Sequence, residues 1–448
     1  MKTIYQKQKT FYKNGYTQSK TFREHQLILL RKALKKYDAD LKEALFNDLG
    51  KDAREATLSE IFMVQNALSS AIKNIEKFSG RIKKKTPLIL FGAKSYTRYL
   101  PYGNTLIMNA YNYPLLLSLE PLIGAIAAGN TVMLALSKKS SYTNKVIINI
   151  INECYEEYYI YAFETDRQLN QQLFDIPFDK FFFTGSQRVG KHVYLAAAKH
   201  LSSVTLELGG KSPAIVLRDA DLKASAKQIL YSKGLNSGQT CIATDYILVD
   251  AAIEKDFINE LIKQKNMMYP NLDSFPKFVD KDAYNKTKKQ LELDKDYIVS
   301  AGEDDEDAQK VGITLLSIPH HKLDEAASMQ AENFNTILPI LSFKSMNEAI
   351  EITDKYPNPL ALYVFGKRRM NIDFMIDHIA SGGVCVNSTL LHMVNDSLPF
   401  GGFKQSGIGS YHGRYSFKTF ASEQAVMYTR TRKIQNIILP PYRWPFKK

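Results

Sequence analysis

The apolar positions fall first into a helical rhythm. Phe22, Leu27, Leu29, Leu30, Leu34 and Tyr37 recur near spacings of three and four, and Leu41, Leu45, Phe46 and Leu49 continue the stripe to Gly50. A second run from Thr57 to Phe78 stops at Gly80. Residues three and four apart share one helix face, so residues 18–80 are predicted helical. From Thr86 to Asn104 the pattern changes. Leu88-Ile89-Leu90 and Tyr96 to Leu100 are short extended runs with Gly92 between them, which predicts a projecting β-hairpin.

Beyond Thr105, short apolar runs alternate with helical ones. Strands are predicted at Leu106–Met108, Thr131–Leu136, Lys180–Phe183 and Val204–Leu208, and helices at Pro114–Ala128, 142–153 and Val189–His200. Gly129-Asn130 supplies a helix stop. This βαβ rhythm implies a parallel sheet with helices on its faces. A second α/β region begins near Gly209, with strands at Ala214–Leu217, Tyr246–Val249, Leu338–Phe343 and Leu360–Phe365 and a helix over Leu222–Ser237. The span 266–330 is polar, is acidic from Glu303 to Asp307, and reads as an insertion. The longest apolar run, Pro114–Leu136, contains Glu120, Pro121, Gly129 and Asn130, which favours a helix–turn–strand unit over a membrane span.

Composition narrows the class. A chain of 448 residues, 45% hydrophobic, suits two or three domains with real cores. Cys154, Cys241 and Cys385 are too few for a disulfide framework and lack metal-ligand spacing, so no metal is expected and a reducing, cytoplasmic setting fits. The formal charge of +13 is spread along the chain without a zinc-finger or RRM signature, so no nucleic-acid partner is expected. Met1 to Tyr16 is polar and lysine-rich, unlike a secretory signal. The final Arg443-Trp444-Pro445-Phe446-Lys447-Lys448 mixes basic and aromatic residues and suits peripheral contact with the inner membrane surface.

Candidate chemistry centres on Asn236-Ser237-Gly238-Gln239-Thr240-Cys241, a polar, glycine-bearing segment ending in a thiol. Glu207 precedes Gly209-Gly210 on a second glycine-rich turn, and a thiol with a nearby base is the minimum for covalent catalysis at a carbonyl. Asn112 lies between a short strand and Pro114, where an amide can donate to a developing oxyanion; alone, it would read as a turn cap. Gly185-Ser186-Gln187-Arg188-Val189-Gly190 follows a strand and opens a helix, whose unpaired N–H groups could face a phosphate. It is not G-x-G-x-x-G, and taken alone it says little. Cys385, in an apolar strand, and Cys154, on a helix, read as inert thiols.

The conjunction is more specific than its parts. Asn112-Tyr113-Pro114, Phe183-Thr184-Gly185-Ser186, Glu207-Leu208-Gly209-Gly210-Lys211, Gly238-Gln239-Thr240-Cys241 and Pro399-Phe400-Gly401-Gly402 occur in one order. In that order they resemble the aldehyde dehydrogenase superfamily, and Pro359 to Phe365, Tyr411-His412-Gly413 and Leu439 to Tyr442 resemble its class 3 branch of fatty and aromatic aldehyde enzymes. The resemblance covers roughly residues 20–442. It implies an α/β fold with a Rossmann-type cofactor domain (1–80 and 105–207), an α/β catalytic domain (208–391), a small β bridging element (81–104 and 392–428) that pairs subunits into a homodimer, and a tail (429–448). It also implies NAD or NADP as cofactor and a small-molecule aldehyde as substrate. Cys241 would be the nucleophile, Asn112 and the Cys241 N–H the oxyanion donors, and Glu207 the base. Gly185, Ser186 and Gly190 would serve the pyrophosphate, Glu332 the nicotinamide ribose and Phe334 the nicotinamide ring.

The chain departs from the family on the cofactor side. Ala135-Leu136-Ser137-Lys138 stands where Lys-Pro-Ser-Glu is usual, so a glutamate that disfavours a 2′-phosphate becomes a lysine that attracts it. That reversal points to relaxed or NADP-leaning use. The usual Glu-Glu-Ile-Phe-Gly-Pro becomes Ala331-Glu332-Asn333-Phe334-Asn335-Thr336; Asn109 replaces a glycine, and Phe163-Glu164-Thr165 stands where a glycine pair is common. Three readings follow: an NAD(P)-dependent dehydrogenase of apolar (fatty, aromatic or terpenoid) aldehydes working through a Cys241 thioester, a thiol esterase using the same residues, or a non-catalytic paralogue with decayed cofactor binding.

Overall fold

A computed structural model describes residues 1–356, 358–429 and Pro440. Six strands form one sheet in the order Gly407–Ile408, Ser203–Leu208, Lys180–Gly185, Asn104–Met108, Thr131–Ser137, Ile160–Thr165. All neighbours are parallel except Gly407–Ile408, which runs antiparallel beside Ser203–Leu208. Asn104–Met108 is buried at every position, as are the first six residues of Thr131–Ser137. Near-continuous apolar runs of this kind are what a sheet covered on both faces requires.

The chain enters this sheet at Asn104–Met108, builds outward through two strands, then returns to add Lys180–Gly185 on the other side. The strand order therefore reverses between Asn104–Met108 and Lys180–Gly185, and ligands of open α/β sheets gather at the carboxyl ends beside such a reversal. Asn109–Asn112 and Gly185-Ser186 leave the sheet at that point.

A second sheet has seven strands in the order Ile298–Ser300, Thr314–Ser317, Ile337–Phe343, Tyr246–Asp250, Pro213–Val216, Ala361–Phe365, Gly383–Val386. Only Ile298–Ser300 is antiparallel to its neighbour. A third, antiparallel sheet joins Ile82–Lys84, Lys94–Pro101 and Ala421–Tyr428.

Several expectations need correction. The hairpin forms, but its first strand is Ile82–Lys84; Leu88–Leu90 is a single 3-10 turn with Leu88 88% exposed, because Pro87 offers no N–H to a ladder. The span 266–330 is not an insertion. Thr314–Ser317 pairs in parallel with Ile337–Phe343 inside the second sheet, and the polar helix Lys281–Leu293 buries only Tyr284 and Thr287 of its residues. Its amphipathic outer surface disguised core structure as a loop. The helix from Leu222 ends at Gly234, not Ser237. The strand Ile160–Thr165 and the helix Lys2–Lys13, which buries Tyr5 and Gln8, were not foreseen. No described helix is long and apolar enough to cross a membrane. The basic-aromatic segment Arg443–Lys448 lies outside the described residues.

Candidate active site

The thiol sits after a strained turn. Gly234 ends its helix where an added Cβ would lie 2.2 Å from the Tyr269 hydroxyl oxygen. Asn236 (φ 51°), Ser237 (φ 53°) and Gly238 (φ 73°) then follow in the left-handed region. That region costs roughly 1–2 kcal/mol for each residue bearing a Cβ, so the surroundings must hold it. Asn236 Nδ2 donates to the carbonyls of Asn112 (2.8 Å) and Gln239 (3.0 Å), and the Asn236 N–H donates to Glu55 Oε1 (2.8 Å). Ser237 Oγ donates to the Pro276 carbonyl, and the Gln239 side chain bonds Lys277 and Val279. At Gly238 a Cβ would lie 2.0 Å from the Asn335 carbonyl oxygen, so only glycine fits.

Asn112 is brought to this turn by the reversal of the first sheet. Its Nδ2 donates to the Gln239 carbonyl (3.0 Å), which fixes the amide plane and leaves the second N–H uncommitted among the described residues. Beneath it lies a fully buried ion pair. Lys51 Nζ donates to Glu60 Oε1 (2.7 Å) and to the Asn112 carbonyl (3.0 Å), and stands 3.9 Å from the centre of the Tyr113 ring. Glu60 Oε2 accepts from the Leu115 and Leu116 N–H groups (2.9 and 3.2 Å). The pair is satisfied at both ends, which offsets its desolvation and locks the Asn112 segment to the helical layer. Tyr113 shares a hydrogen with Thr240 Oγ1 (2.6 Å), one residue before the thiol.

Cys241 is half-buried at a cavity of about 500 Å³, lined by Tyr113, Leu116, Leu117, Ile242, Phe400 and Tyr411 among others. Burial, then the charges of Glu332 and Glu207, push its thiol up to about 12. Neither Asn112 nor Glu207 lines this cavity. Glu207 lies on Ser203–Leu208 opposite Gly407, buried, with neither carboxyl oxygen hydrogen-bonded within the described residues. Burial first and the nearby Glu120 second hold its proton well above the usual carboxylate range.

Glu120, His412 and Glu55 are the groups the sequence reading missed. Glu120 Oε2 stands 3.4 Å from His412 Nε2, both residues buried. Burial pushes Glu120 up to about 8 and His412 down to about 3, so the pair is a neutral acid facing a neutral imidazole. A lone acid inside the greasy run Leu115–Ala128 was the available signal for Glu120.

The expected cofactor residues occupy the other side of the loop. Ser186 precedes the helix Gln187–Lys199 and its hydroxyl makes no cap bond. A Cβ on Gly190 would lie 2.6 Å from Leu208, so that glycine keeps the helix close to its strand, and one on Gly185 would lie 2.6 Å from the Phe183 ring of its own strand. Glu332 rests against Gly209, where a Cβ would lie 2.2 Å from Glu332 Oε2; burial pushes its carboxyl up to about 8. Phe334 packs edge-on against Tyr111, ring centres 6.2 Å apart. The altered loop is held by side-chain amides: Asn333 Nδ2 donates to Asp245 Oδ1 (2.9 Å), and Asn335, in place of the turn glycine, donates from Nδ2 to Gln290 Oε1 (2.9 Å). Asn109 Oδ1 accepts from the Ser137 N–H (2.8 Å), so the substituted asparagine clamps two strand ends. Lys138 is 67% exposed and pairs with Asp166 at 3.8 Å.

The model of the aldehyde dehydrogenase family matches residues 8–426. Over 443 residues the chain is 41% identical to the 4,4'-diaponeurosporen-aldehyde dehydrogenase of Staphylococcus aureus, covering 98% of this chain and 96% of that one. It is 36% identical to mouse aldehyde dehydrogenase family 3 member B1, covering 96% and 92%. Its backbone is similar to that of Staphylococcus aureus AldH in a substrate-bound state, with a TM-score of 0.95, 40% identity, and 98% and 96% of the two chains covered. Matched over residues 8–426 and by relatives of this identity and coverage, the chain belongs to the aldehyde dehydrogenase family.

Proposed function

We propose that this enzyme oxidises an apolar aldehyde to its carboxylic acid with NAD or NADP, through a covalent acyl intermediate on Cys241. The observation that carries the reading is an apolar cavity of about 500 Å³ reaching Cys241, on a loop hydrogen-bonded to Asn112. Residues 1–80 and 105–207 serve the cofactor, 208–391 the substrate chemistry, and 81–104 with 392–428 the contact with a second copy. Three free thiols suit a reducing cytoplasm.

The residues present fit a nicotinamide dinucleotide. The Glu332 carboxyl is seated beside side-chain-free Gly209, and Ser186 offers an uncommitted hydroxyl at a strand end beside the reversal. Ser186 with Gly185 and Gly190 would hold the pyrophosphate, Glu332 the nicotinamide ribose and Phe334 its ring. Lys138, whose long exposed ion pair contributes little, would turn to a ribose phosphate. When bound in oxidised form, the dinucleotide supplies a hydride acceptor.

The Cys241 sulfur, its proton passed to solvent, attacks the aldehyde carbon, and the carbonyl oxygen gains charge. The uncommitted N–H of Asn112 Nδ2 and the Cys241 backbone N–H stabilise that oxyanion, an interaction worth about 3 kcal/mol per donor. Collapse of the thiohemiacetal would pass its hydride to that acceptor and leave a thioester on Cys241. Glu207, a strong base once ionised because burial opposes its charge, takes a proton from water as the water attacks the thioester. The carboxylic acid leaves and the thiol is regenerated.

The test is nicotinamide reduction with decanal or benzaldehyde and each nucleotide, beside an activated ester. Aldehyde-dependent reduction that disappears in Cys241→Ala supports the reading. Ester cleavage without reduction would replace it with a thiol esterase, and inactivity towards all substrates with a binding protein.

A further inference from the structure

One carboxyl in the cavity has no part in the chemistry above. Glu55 lies on the short helical turn Ala53–Ala56 and lines the same cavity as Cys241. Its Oε1 accepts the Asn236 N–H at 2.8 Å, and within the described residues the carboxyl makes no other hydrogen bond. The connection runs onward without a gap. Asn236 Nδ2 holds the Asn112 and Gln239 carbonyls, and Gln239 accepts from the Asn112 side chain two residues before the thiol.

We propose that Glu55 is a positioning and specificity-determining residue: one carboxyl oxygen holds the left-handed Cys241 turn, while the other meets the aldehyde's hydrocarbon chain. The inference rests on the reading of this cavity as the aldehyde site. Glu55 faces Lys51, Asp52 and Glu60 from its own segment, Asn236, Tyr231 and Tyr269 from the thiol side, and Tyr113 from the first sheet. Lys51, the one cation among these, is already committed to Glu60 and Asn112. Burial consequently dominates and pushes the Glu55 carboxyl up to about 7.

An apolar chain entering the cavity strips water from this group. Losing that water costs little for the neutral acid and much for the carboxylate. Chain binding therefore favours protonated Glu55 and weakens as pH rises through its titration. The Asn236 bond survives in both forms, because either form retains an acceptor oxygen.

The test combines binding and turnover at about pH 6 and about pH 8. Calorimetry with 1-decanol, which has the chain but no aldehyde, reads chain binding independently of dehydrogenase activity. The ratio of protonated fractions for a group titrating near 7 predicts an increase of about tenfold in the 1-decanol Kd and decanal KM. Glu55→Gln keeps the acceptor oxygen and loses the charge, so that pH dependence disappears. Glu55→Ala loses the acceptor as well and lowers kcat roughly tenfold, a loss that Glu55→Gln largely rescues. An unchanged pH profile in Glu55→Gln, or a wild-type kcat in Glu55→Ala, overturns the proposal. If wild type reduces no nicotinamide, the dehydrogenase reading fails by itself, while the 1-decanol profile still decides the role of Glu55.

Discussion

The two sides of Cys241 are built differently. On the substrate side, Lys51, Glu60, Asn112, Asn236 and Gln239 form one buried network, with bonds between 2.7 and 3.2 Å. On the cofactor side, Ser186 makes no cap bond and Lys138 keeps only a long ion pair at the surface. The Asn112 amide proposed as oxyanion donor is thus held before substrate arrives, as transition-state stabilisation requires of a donor. On the proposed nucleotide side Asn109, Asn333 and Asn335 hold the backbone, while Ser186 and Lys138 are left for what binds. Such a division concentrates tolerance to substitution where the ligand supplies the missing partners.

The contrast can be broken by substitution on each side. Cys241→Ala should remove aldehyde oxidation by at least about 10³-fold, read as nicotinamide reduction with decanal, since nothing else at the site can form the thioester. Asn112→Ala should lower kcat by about 10²–10³-fold and also loosen the Gln239 carbonyl it now holds. A KM effect without a kcat effect would show that the amide is structural only.

A smaller effect is expected at Glu120. Its proton leaves near 4.5 in the unfolded chain and near about 8 in the folded one. Between those values the folded state binds more protons, so this group's stabilisation is complete below 4.5 and is lost as pH rises through about 8. Glu120→Gln cannot ionise and should be more stable than wild type by about 1–3 kcal/mol near pH 9, with little difference near pH 5. Urea unfolding at both pH values measures this; a constant offset would contradict it. The smallest effect belongs to the cofactor side. Lys138→Glu should shift the NADP-to-NAD preference towards NAD by about tenfold, about 1.4 kcal/mol, read from nucleotide titrations. No shift would mean that Lys138 meets no phosphate.

Legibility in the sequence followed the strength of the local signal. Buried strands such as Thr131–Ser137 and Lys180–Gly185 were readable because both faces are apolar. The Thr314–Ser317 strand was hidden because it is short and lies among polar helical and turn residues. Leu88–Leu90 misled in the opposite direction: three apolar residues in a row look extended, but Pro87 and the exposed Leu88 mark a turn. Cys241, Glu207 and Asn112 were singled out by the order of their motifs. Glu55 could not be, because its importance depends on a neighbour 181 residues away. The changes at Asn333 and Asn335 looked like decay in the sequence, yet in the fold the side chains of those asparagines hold the loop themselves.

The protonated state of Cys241 has a consequence for how the protein ages. Burial holds that thiol protonated at neutral pH. Peroxide oxidises thiolates, converting them through sulfenic acid to forms that cannot be recovered. On the proposed mechanism, Cys241 stays between turnovers in the form such oxidants leave alone. Its exposure to irreversible damage is then set by how often it works, and an idle pool should outlast a busy one under the same oxidative load.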